Sequence, residues 1–61
     1  MYLIKFIRKD LNPDEDYYYH NLTDAQNHFD LFHDDDSDLY QRIELLQIEG
    51  LTENLLNHID F

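Results

Sequence analysis

Four histidines, a run of aspartates and three consecutive tyrosines are the residues of this chain that could do chemistry. The run DDDSD over residues 34–38 invites a cation, because carboxylate oxygens are hard ligands that suit calcium. A helix–loop–helix calcium site needs oxygen donors at loop positions 1, 3 and 5, glycine at 6 and glutamate at 12. Counting from Asp34 places Asp36 and Asp38 correctly, with Asp35 between, but puts Leu39 where glycine is required and Leu45 where glutamate is required. The pattern fails twice. A solvated loop of mutually repelling carboxylates is the plainer expectation, with a weak calcium response as a minor alternative. Zinc fares no better. His20, His28, His33 and His58 include no pair four residues apart, and no HExxH stands in the chain; His28 reads instead as a rim residue of a packed helix face. Ser37 is the only serine and lies among carboxylates, which oppose any oxyanion formed beside it. One glycine cannot make a phosphate-cradling loop. The expectation is a protein that is not an enzyme and holds no metal or cofactor.

The stretch DEDYYYHN over residues 14–21 raises a different possibility. Aromatic side chains on a sheet can stack single-stranded bases, but such platforms also need a basic groove. Here the flanks are Asp14, Glu15 and Asp16, with Asp10 across the loop. Tyrosine is equally a residue of protein interfaces, where it offers rigid area and a polar tip.

Charge makes that choice. Among 61 residues there are 14 acids and four Lys/Arg, for a formal net charge of −10. Lys5, Arg8 and Lys9 precede residue 10, and only Arg42 follows it. Such a chain repels nucleic acid and anionic membrane directly and attracts basic protein surfaces. MYLIKFI carries Lys5 and lacks a small-residue cleavage site, so it does not read as a secretory signal. No apolar stretch approaches the ~20 residues of a membrane helix. The absence of cysteine fits a reducing cytoplasm and removes disulfides as a means of stabilising one small domain over residues 1–61.

Hydrophobic periodicity supplies the elements. Residues 2–9 read as a strand with Tyr2, Ile4, Phe6 and Arg8 on the core face, and Leu3, Lys5, Ile7 and Lys9 on the other. Asn12-Pro13-Asp14 suits a type I turn, leading to a second strand over 16–22. Alternation sets Tyr18 on one face and Tyr17 and Tyr19 on the other. Thr23 followed by Gln26 has capping-box spacing, and Ala25, His28, Phe29 and Phe32 form one stripe of a helix over 24–33. Residues 39–49 read as the third strand, with Ile43 and Leu45 on one face and Leu46 and Ile48 on the other. Gly50 closes it. The tail LTENLLNHIDF fits either a helix or, preferably, a fourth strand. The expected class is α+β: a small antiparallel sheet of three to four strands with one helix on one face, ordered ββαββ, with ββαβα as the alternative.

A sheet apolar on both faces needs a second cover. Leu3, Ile7, Tyr17, Tyr19, Leu46 and Ile48 are the candidates for a dimer or partner contact on the sheet. Asp14, Glu15, Asp16, Asp34, Asp35, Asp36 and Asp38 are the candidates for an acidic contact. The stretches YLIKFI, LTDAQNHF and QRIELLQIEG together give a layout that resembles small open reading frames of bacteriophages and mobile elements. The resemblance is one of pattern and carries no catalytic residue across. It implies that the chain falls among small proteins of which a minority inhibit host defence by occupying the nucleic-acid channel of a nuclease. Two functions are therefore expected as alternatives. One is a non-enzymatic interaction module showing an acidic, DNA-mimic-like surface to a basic protein. The other is a small homodimeric accessory protein whose acidity serves solubility.

Overall fold

The computed structural model describes residues 1–10, 13–31 and 39–61. Its elements are β1 (Tyr2–Arg8), β2 (Glu15–Tyr19), α1 (Leu22–Asp30), β3 (Tyr40–Glu49) and β4 (Thr52–Asp60). The strands form one antiparallel sheet in the order β2-β1-β3-β4. The α+β class and the ββαββ order along the chain are those expected, and the tail is a strand. The turn at Asn12, the helix stripe position Phe32, His33 and the whole run 34–38 lie outside the described residues.

Why these residues make these elements is visible locally. β1 is rich in β-branched and aromatic residues that suit a pleated, half-buried surface, and β3 carries Tyr40, Ile43 and Ile48 among its leucines. Between β3 and β4, Glu49 pairs with Thr52 around Gly50-Leu51. Gly50 has φ 59° and is the only described residue with positive φ, which matches a type II′ hairpin. The helix begins earlier than its spacing predicts. Asn21, not Thr23, is the cap: its side-chain oxygen accepts the Asp24 N–H at 2.9 Å, while its side-chain amide donates to the Asp24 carboxylate at 3.0 Å. That claim on Asn21 also ends β2 at Tyr19, short of the expected limit at residue 22. Asn21→Ala is expected to cost about 1 kcal/mol, read as a lowered midpoint in urea unfolding.

α1 lies against β1, β2 and β3. Ala25 and Phe29 from the helix join Ile4, Phe6, Ile43 and Leu45 from the sheet in the main core, with Tyr2, Tyr19, Tyr40, Ile59 and Phe61 packed at its margin. The core face of β1 is the one expected.

The tail departs from simple alternation. Leu45 pairs with Asn57 and Leu46 with Leu55, so Leu56 is an extra residue in β4, a β-bulge. Alternation in the sequence groups Leu55, Ile59 and Phe61 together. The bulge instead puts Leu55 opposite Leu46, away from the helix, while Ile59 and Phe61 join the helix-side core.

Candidate functional site

Cross-strand register turns the sheet into a map, because directly opposed residues of an antiparallel pair share a face. The face away from α1 carries four rows. Met1 lies beside Ile48, its carbonyl accepting the Ile48 N–H at 2.8 Å, and Ile48 is opposite Glu53. The next row, Tyr18–Leu3–Leu46–Leu55, crosses all four strands and is wholly apolar but for the phenol. Then comes Asp16–Lys5–Glu44–His58, and last Ile7–Arg42–Asp60. One end of this open face is therefore apolar but for Glu53 on β4, and the other carries charges of alternating sign with Ile7 on β1.

Leu3, Ile7, Leu46 and Ile48 stand on this face as expected, but not equally available. Leu3 is 2% exposed and Leu46 6%, so both are interior residues of a second, thinner apolar layer. The surface there belongs to Tyr18, 60% exposed, together with Met1 and Leu55. The tyrosines need correcting. Tyr17 and Tyr19 pair with Ile4 and Tyr2, core-face residues, and lie on the helix side; Tyr18 takes the outward place. Alternation alone separates Tyr18 from its neighbours without saying which side the helix occupies.

On the helix side the tyrosines build an aromatic cluster. Tyr17 meets Phe6 edge-on at 5.5 Å between ring centroids, and His28 at 5.6 Å. Tyr19 is hydrogen-bonded through its hydroxyl to His28 Nδ1. His28 is thus a half-buried partner of tyrosine, in keeping with its rim position on the helix stripe, and no metal-binding group of His or acid residues forms among the described residues.

Both arginines are bound within the chain. Arg8 donates to Asp10 through Nε at 2.9 Å and Nη2 at 2.7 Å, a bidentate pair, and to Glu15 through Nη1 at 3.1 Å. The Asp10 hydrogen bond is the main reason this guanidinium is held still further above the ordinary arginine range. Glu15 also accepts from the Tyr40 hydroxyl at 2.6 Å. Arg42 donates to Glu44 at 3.0 Å and to Asp60 at 3.1 Å. Asp60 lies a further 3.1 Å from His58, an ion pair when the imidazole is protonated. Of the predicted acidic contacts, Asp14 and Asp16 are exposed on the β2 margin and Glu15 is bound inward to Arg8 and Tyr40. Asp34, Asp35, Asp36 and Asp38 lie outside the described residues. The exposed carboxylates among the described residues that spacing did not single out are Asp10, Asp24, Asp30, Glu49, Glu53 and Asp60.

Two tyrosines are held above their ordinary value of about 10. Tyr19 is raised chiefly by burial and then by Tyr17 and Asp24; Tyr40 is raised chiefly by its hydrogen bond to Glu15 and then by burial. Both favour the neutral phenol in the folded chain. Their contribution is whole below the unfolded value of about 10 and is lost as pH rises from there through the folded value. Thermal midpoints are therefore expected to hold between about pH 8 and about pH 9.5 and to fall above about pH 10. Tyr40→Phe should reduce that alkaline fall.

Comparisons of the chain with protein-family models, with curated proteins and with solved structures return no match. No pocket opens among the described residues, and no helix among them is long and apolar enough to cross a membrane.

Proposed function

We propose that this chain is a non-enzymatic interaction module that presents carboxylates to a basic protein surface. In its sharpest form it imitates the phosphates of a nucleic acid, as some small acidic phage proteins do. The observation that carries this reading is the use made of its cations. Arg8 and Arg42 are each bound to two carboxylates of the chain itself. Both arginines are thus neutralised within the chain, which leaves two lysines among the four Lys/Arg, while Asp14, Asp16, Asp24, Asp30, Glu49 and Glu53 are exposed on a sheet-and-helix frame. A partner built to bind phosphate would meet fixed negative charge at low ordering cost.

The test is capture on the immobilised chain at low salt, followed by elution with duplex DNA. Retention of nucleic-acid-binding proteins that DNA releases is the expected result. Retention of none, or of proteins indifferent to DNA, overturns the reading.

A further inference from the structure

We infer that the open face of the sheet is self-complementary and pairs two copies of the chain face to face. This inference concerns the chain alone and stands whether or not a basic partner exists. The argument is in the register. Consider a two-fold axis parallel to the strands, running between β1 and β3. It lays β1 of one copy over β3 of the other, and β2 over β4, and it keeps each row of side chains over the same row. Tyr18 then faces Leu55 of the second copy, apolar on apolar, and the two lie over rows in which Leu3 and Leu46 are already enclosed. One row along, Lys5 faces Glu44 and Asp16 faces His58, opposite in sign or hydrogen-bonding in kind. Each of these contacts occurs twice. An axis perpendicular to the strands reverses the order of the rows and lays the charged end over the apolar end, which leaves carboxylates desolvated without partners. Aligned packing of two sheets is the ordinary geometry of a β-sandwich, with faces about 10 Å apart.

Lys5 gives the second observation. Asp16 and Glu44 flank it on the neighbouring strands, yet its ammonium forms no ion pair among the described residues. Glu44 already accepts from Arg42. A cation between two acids and bonded to neither is placed to reach a carboxylate across an interface. The apolar surface to be covered is real as well: Tyr18, Met1 and Leu55 are all exposed here, around an interior of Leu3 and Leu46. Strand spacing and rise over the four strands give a face of roughly 400 Å². That is small beside the ~800 Å² per partner of a standard interface, so the dimer belongs among weak, concentration-dependent associations.

Sedimentation velocity of the chain alone, from about 5 μM to about 1 mM, reads this directly. The expected result is a shift from monomer to dimer across that range. Lys5→Glu and Glu44→Lys should each sediment as monomers, since each sets like charges opposite one another across the axis. An equimolar mixture of the two variants restores complementarity, because the introduced acid of one chain faces the introduced base of the other. That mixture should sediment as a dimer. Tyr18→Lys, at a position that is 60% exposed, should weaken association about tenfold or more while the chain keeps its far-ultraviolet circular dichroism. A wild-type chain that stays monomeric throughout, a mixture no more associated than its components, or a Tyr18→Lys chain that dimerises as before overturns the inference.

Discussion

Phe29→Ala is expected to remove about a third or more of the stability of the fold and to lower its urea midpoint in proportion. Phe29 is 1% exposed and is the largest side chain that α1 sends into the core, between Ile4, Phe6, Ile43 and Leu45. Truncating a buried phenylalanine costs about 3–5 kcal/mol, the lost transfer free energy plus the cavity left behind. A domain of 61 residues has a total stability of about 3–9 kcal/mol, at roughly 0.05–0.15 kcal/mol per residue. The loss therefore consumes from about a third to all of it. No disulfide is available to hold the chain in compensation, since it has no cysteine. Far-ultraviolet circular dichroism with urea titration reads the result. A Phe29→Ala chain with an unchanged midpoint would show that α1 contributes nothing to the fold beyond its own hydrogen bonds.

Leu3→Ala has the second largest expected effect, and it probes the other side of the sheet. Leu3 is almost fully enclosed although it points away from the helix, beside Leu46. Its removal is expected to cost about 2–5 kcal/mol, as at any buried leucine. Leu51 is the internal control: it stands in the β3–β4 turn at 105% relative exposure, and Leu51→Ala should change stability by no more than about 0.5 kcal/mol. The comparison separates two meanings of an apolar residue off the main core. If Leu3→Ala behaves like Leu51→Ala, the second layer is only surface. If it behaves like a core truncation, the sheet is supported from both sides.

That second layer marks where sequence reasoning stops. The split of β1 into two faces is legible, because Tyr2, Ile4 and Phe6 alternate with Leu3, Lys5 and Ile7 over an unbroken strand. Ala25 and Phe29 are legible for the same reason at helical period. Whether Leu3 is open or enclosed is not, since enclosure depends on Leu46 and on residues of other strands. The bulge at Leu56 is likewise invisible: nothing in NLLN marks an extra residue, and one such residue reverses the face of everything before it. The cap is misread from spacing because Asn21 and Thr23 are both capping types, and only the reciprocal bonds between Asn21 and Asp24 decide between them. Alternation groups Tyr17 and Tyr19 correctly but sets them on the wrong side, because two strands fix an alternation and the helix alone fixes its sign. The acidic character of the surface is plain from composition. That Arg8 and Arg42 are bound internally rather than presented cannot be read from spacing, since Arg42 finds Asp60 eighteen residues away through the β3–β4 pairing.

If carboxylates carry the proposed interaction, the salt dependence of affinity measures it most directly. For a partner captured as described, titration in solution between about 50 and 250 mM monovalent salt should show affinity falling by about tenfold or more, as for ligands that compete with phosphates. Asp14→Asn combined with Asp16→Asn should make that dependence shallower. An affinity that stays constant across the same range would contradict the account, and would place the interaction on the apolar rows of the sheet instead.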